Sequence, residues 1–300
     1  MHDARTHRKI STHAAKTFRL KKRIKYLLVI LTVSALVGFL VYYTLGPKNS
    51  GIIDTTPKIA IIDHLSMQWP NQEFNQTAQT ILNQTGLKVD YYPPGDITVD
   101  FYRDLPKRNY KLIIFRVHST ATSSVNDTPP FVVFFTSELY NNAAHVSEQM
   151  DMRVVWVKFP NNETTYFGIT PKFVKDSMEG RFNDTVIIAM GCEGLKQTTM
   201  AQAFVEKGAK AYISWNGTVS ASYTDEATVS LLRHLITDKQ TVDEAVKQTM
   251  NEVGPDPTDK SILTFYPTSA GTTLAPVNAI TTTPTIRTDK KEIDKSGLNY

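Results

Sequence analysis

The chain has almost no cysteine: Cys192 is the only one in 300 residues. An intrachain disulfide is excluded, and a body of roughly 200 residues does not need one to bury an adequate core. Other signatures are missing as well. There is no His-Glu-x-x-His, Gly-x-Ser-x-Gly elbow, phosphate-binding Walker loop or dinucleotide fingerprint. His64, His118, His145 and Cys192 lack metal-ligand spacing, so neither a metal nor a cofactor is expected. No internal repeat is visible.

Charge is also lacking where the net value suggests it. The formal net charge is +4, yet residues 1–25 alone hold nine Lys and Arg against one Asp. The rest of the chain is therefore mildly acidic, and no nucleic-acid partner is expected for it.

The segment 26–45 contains no charge. Twenty residues at ~1.5 Å each match the thickness of a bilayer's hydrocarbon core. A single membrane-spanning helix is expected there, with 1–25 as a basic cytoplasmic tail and the C-terminal part outside the cell membrane. A cleaved signal peptide is the alternative, but its apolar region is usually shorter. Six Asn-x-Ser/Thr sequons follow, at Asn75, Asn83, Asn126, Asn162, Asn183 and Asn216, which suits a glycoprotein. Residues 46–57 read as a linker, 58–270 as one domain and 271–300 as a Thr- and Pro-rich flexible tail.

Within the domain, apolar runs alternate with amphipathic segments. Strands are expected at 58–62, 88–92, 111–117, 185–190, 211–215 and 262–266. Helices are expected near 71–84, 99–105, 171–178, 198–207, 225–237 and 242–253. The β-branched and aromatic runs 131–136 and 153–159 read as an antiparallel excursion. Continuous apolar strands separated by helices predict a mostly parallel six-stranded sheet, covered by helices on both faces. Sites in such sheets lie at the carboxyl ends of the strands.

Two reactive side chains stand at such ends. The run Lys111-Leu-Ile-Ile-Phe-Arg-Val117 leads to His118, and Thr185-Val-Ile-Ile-Ala-Met190 leads through Gly191 to Cys192. A lone strand-end cysteine or histidine is ordinarily a packing residue. Together, at matching edges, they suggest a nucleophile and its base.

In the order and spacing of Arg116-Val-His118-Ser119, Met190-Gly-Cys192-Glu-Gly194 and the helix-to-strand passage 200–215, the chain resembles the caspase-like cysteine peptidases over about 58–268. That group includes caspases, legumains and gingipains. The resemblance implies a three-layer caspase-like fold and a Cys192–His118 dyad acting on a peptide or protein substrate. It also implies an oxyanion site using the backbone near Ser119 and Cys192, with Gly191 easing the turn. Ser119 stands where the family usually has Gly. The turn Ser214-Trp215-Asn216-Gly217 lacks the Arg with which caspases read an acidic side chain. Three further residues are substrate-binding candidates. Asp63 forms either an acidic pocket or an ordinary loop or helix partner. Trp215 is a subsite wall or a core aromatic, and Ser214 precedes it. The competing expectation is an inert binding module with the same dyad residues. The oligomeric state is left open by the sequence.

Overall fold

The computed structural model describes residues 31–36, 56–123, 129–159 and 162–268. Residues 1–53 and 54–300 are separate compact units. Of the first unit, only 31–36 is described, as a short helical stretch. The expected membrane-spanning helix is not found among the described residues, which include only 31–36 of its span: no helix there is long and apolar enough to cross a membrane. The rest of 26–45, the basic segment 1–25 and the tail 271–300 lie outside the described residues.

Six strands of the second unit form one sheet. They are β1 (Lys58–Asp63), β2 (Lys88–Tyr92), β3 (Tyr110–Arg116), β8 (Thr185–Ala189), β9 (Ala209–Trp215) and β10 (Leu263–Tyr266), in spatial order β10-β9-β8-β3-β1-β2. All neighbours are parallel except β10, which runs antiparallel to β9. The apolar runs explain the central position of β3, β8 and β9, since their residues are buried on both faces. One face carries α1 (Gln72–Leu82), α6 (Ala221–Leu232) and α7 (Val242–Val253), packed on Ile59, Ile61, Ile114, Ile188 and Ile213. These helices begin where sequence chemistry allows a cap. The Asn71 side chain accepts the Phe74 N–H, and Thr241 and Glu244 complete a capping box.

The other face departs from expectation. Here α2 (Val99–Asp104), α4 (Pro171–Asp176) and α5 (Thr199–Glu206) share the cover with a second sheet. Its strands β4 (Ser119–Ala121), β5 (Val132–Leu139), β6 (Val154–Lys158) and β7 (Thr165–Ile169) are antiparallel, in order β4-β5-β7-β6. The three-layer caspase-like expectation, with one sheet between helices and only an excursion beside it, is corrected accordingly. The fold is α/β with a mixed, mostly parallel sheet and a distinct curled antiparallel one. The physical reason lies in β5. Val132 and Phe134 enter the main core, while Val133 and Phe135 build a second small core with Val157, Phe159 and Tyr166. A strand that buries both faces forms a layer rather than a hairpin on the rim.

Candidate active site

β3 and β8 are parallel neighbours, with Phe115 opposite Ala189. His118 and Cys192 each follow that register pair by three residues. Both therefore leave the carboxyl edge of the sheet at the same level. The strand ends are tied: Ser119 Oγ donates to the Cys192 carbonyl at 2.6 Å. A Cβ on Gly191 would collide with Ser119 Oγ and with the Val117 carbonyl. Glycine at 191 is thus a condition of the close approach, not only of a sharp turn.

Backbone donors are aimed at this turn. Phe135 N–H donates to the His118 carbonyl (3.0 Å) and Thr122 N–H to Phe131 (2.8 Å). Bonded positions alternate along an antiparallel pair, so Ser119 and Ala121 present their N–H groups away from β5. The Ala121 N–H reaches Glu193 Oε2 at 2.8 Å. The Ser119 N–H faces Gly191, 3.0 Å from where a Cβ would stand there. Glu193 holds the turn from below with left-handed backbone (φ 59°) and a carboxylate that also pairs with Lys196. Burial opposes ionisation of that carboxyl, but the bonds from Lys196 and Ala121 hold its pKa below the usual value.

Cys192 is half-buried, beside the core of the α1, α6 and α7 face. Its Sγ donates to the Val219 carbonyl at 3.4 Å. Burial pushes the thiol pKa up, and the negative charges of Glu193 and Asp259 add to the rise. No hydrogen bond joins Cys192 to His118.

His118 sits in a ring of aromatics. Ring centroids of Phe159, Trp69, Phe135 and His64 lie at 4.7, 5.0, 5.6 and 6.1 Å. Its Nε2 is buried without a hydrogen-bond partner. Burial lowers its pKa to about 4, with a further push from His64. Imidazole and thiol are therefore both neutral at pH 7 in this conformation.

His64 is fully buried and stacks on Phe159. Neither ring nitrogen makes a bond of normal geometry, although the Thr136 backbone lies near. Burial lowers its pKa from 6.5 to about 4. Between those values the unfolded chain binds a proton that the folded chain refuses. Stability is thus full above about pH 6.5 and is lost as pH falls through the window, by up to about 3 kcal/mol. Urea denaturation of wild type and His64→Gln at pH 7 and pH 4.5 checks this. The wild type should lose more stability than the variant; equal losses would acquit His64.

The three substrate-binding candidates are placed in the interior. Trp215 is fully buried and donates its Nε1–H to Thr224 Oγ1 at 2.9 Å, the geometry of a core aromatic. Ser214 is equally buried and donates to the Ala189 carbonyl at 2.7 Å. Both lie within β9, whose pleat carries them into the core rather than to the rim. Asp63 is fully buried too. Its Oδ1 takes Arg116 Nη1 at 2.7 Å and the Ser66 N–H at 3.1 Å. Its Oδ2 takes Tyr91 Oη at 2.9 Å and Asn75 Nδ2 at 3.2 Å. With that many donors satisfied, Asp63 is a structural acid and not the floor of a cationic pocket.

Arg116 is the residue that sequence reasoning passed over. It is fully buried and also bonds Asp225 through Nε (2.7 Å) and Nη2 (2.8 Å), and the Trp69 carbonyl through Nη2 (2.9 Å). One signal was available, an arginine inside an otherwise apolar strand, because such a charge must find partners. Nothing comparable pointed to Asp225 or Trp69.

Among the described residues, no group of three or more His, Cys, Asp and Glu could hold a metal ion. No family model matches the chain, and no curated protein matches it.

Proposed function

We propose that this domain is a cysteine-dependent hydrolase of peptide bonds, the activity implied by its resemblance to the caspase-like peptidases. The observation that carries the reading is the equal three-residue overhang of His118 and Cys192 beyond a register pair of adjacent parallel strands. Proximity of this kind turns an encounter into a near-intramolecular reaction. Side-chain rotation would bring thiol and imidazole together as substrate enters. His118 takes the thiol proton while Cys192 Sγ attacks the scissile carbonyl carbon. The oxyanion meets the N–H groups of Ser119 and Cys192. Collapse breaks the C–N bond, and His118 returns the proton to the leaving amine. Water then attacks the thioester, giving a proton to His118, and the thiol is released with the carboxylic product.

The test uses a peptide library and a thiol-reactive peptide inhibitor. Cys192→Ala should abolish cleavage and labelling, and His118→Ala should slow cleavage by roughly 10²–10⁴-fold. Cleavage that survives loss of the only thiol would end this reading.

A second reading has one observation in its favour. The thiol is bonded to Val219 rather than to His118, and its pKa is raised. An inert binding module would keep that arrangement in the presence of peptides. Its thiol would alkylate no faster at pH 7 than a free cysteine, whereas the hydrolase predicts acceleration by a peptide-directed reagent.

A further inference from the structure

The four rings around His118 differ in one respect. Phe135, Phe159 and His64 are buried, whereas Trp69 is 46% exposed. Its indole lies over the imidazole at 5.0 Å and 53°. Trp69 is therefore the ring neighbour that also meets solvent, beside a His118 that is itself only partly buried. A half-exposed tryptophan on a connecting segment would ordinarily be mobile, but this one is clamped. Its backbone N–H donates to the Leu65 carbonyl at 2.7 Å, and its backbone carbonyl accepts from the buried Arg116. On either side of it, Ser66 N–H is bonded to Asp63 and Asn71 Nδ2 to Asp225 at 2.9 Å. Those carboxylates belong to the same Arg116 network. The buried charges thus fix the backbone that carries an exposed ring, and that ring covers the base.

We propose that Trp69 is a positioning residue for His118, closing the solvent side of the imidazole and setting its orientation and proton affinity. The proposal deepens the hydrolase reading and rests on it for its catalytic meaning. Of the rings packed around His118, from β5, the residue after β6 and the segment after β1, only His64 is titratable, and it is the charge that acts on the imidazole, while the Cys192 thiol stays neutral across the acid range. A change in the titration of His118 can therefore be traced.

The experiment follows the histidine resonances of the full chain by NMR across pH, in wild type, Trp69→Ala and Trp69→Phe. Removing the indole should admit water and raise the His118 midpoint from about 4 by at least about one pH unit, a tenfold change in proton affinity. The phenyl ring should hold it near the wild-type value. His64, which is buried and does not touch Trp69 in any described ring contact, should stay where it is. The acidic limb of the peptide-cleavage profile should move with the His118 midpoint. An unchanged midpoint in Trp69→Ala overturns the proposal, as does a rise of both histidines together, which marks general loosening. A His118 midpoint that shifts alone in a chain without peptidase activity would support the positioning role and remove the hydrolase reading.

Discussion

Arg116→Met is expected to cost the domain roughly 3–5 kcal/mol, the usual penalty for stranding buried charge. Methionine fills much the same space, so little of the loss would come from a cavity. The cost comes from Asp63 and Asp225, which would keep their burial and lose the one cation they pair with among the described residues. Against a typical total of about 5–15 kcal/mol, such a loss leaves the domain marginal. Urea denaturation monitored by circular dichroism gives the number. Combining Arg116→Met with Asp225→Asn should recover part of it, because one of the stranded charges is then gone. A loss below about 1 kcal/mol in the single variant would mean that water reaches the network and that its burial is overstated.

If the proposed hydrolase reading holds, Gly191→Ala should lower activity strongly while costing the fold less than Arg116→Met does. The new methyl collides with two atoms, Ser119 Oγ and the Val117 carbonyl oxygen, and presses on a third, the Ser119 nitrogen at 3.0 Å. Ser119 Oγ can rotate away at the expense of its bond to the Cys192 carbonyl, but the Val117 carbonyl is backbone and cannot. The two strand ends must part by a fraction of an ångström to an ångström. Overpacking of this kind costs about 1–3 kcal/mol of stability. Displacement of a reacting group by about 1 Å can lower turnover on the order of 10²-fold. Peptide cleavage and thermal melting of the same samples separate the two effects. Adding Ser119→Gly relieves the hydroxyl contact only, so the double variant should remain impaired. Wild-type turnover in Gly191→Ala would show that the approach of the strand ends is not what aligns the proposed pair, His118 and Cys192.

Much of the main sheet could be read from local pattern. The runs read as 58–62, 88–92 and 111–117 are strands 58–63, 88–92 and 110–116. The helix expected at 242–253 is found at Val242–Val253 behind its capping box. Such elements are legible because a strand buried on both faces needs an unbroken apolar run, and a cap needs particular side chains at its own site. The antiparallel runs 131–136 and 153–159 were recognisable as strands, but their assembly into a separate sheet was not. Pairing of Phe134 with Ile169 and of Val154 with the same Ile169 depends on contacts distant in sequence. The substrate-facing alternatives for Asp63, Ser214 and Trp215 failed for a related reason. All three stand close to the carboxyl edge, and a linear pattern does not tell a rim position from one just beneath it.

By itself, the sequence determined that a single thiol and a strand-end imidazole exist, and that neighbouring apolar runs deliver them to one edge. It also excluded an intrachain disulfide and the common nucleotide and metalloprotease motifs. Only the tertiary structure decided what surrounds them: an aromatic enclosure for His118, a backbone partner for Cys192, and a buried Arg116 network beneath Trp69. Strand propensity and apolar periodicity act over a few residues. Burial, proton affinity and charge pairing are set by side chains that meet only after β1, β3, β8 and their covering layers have packed together.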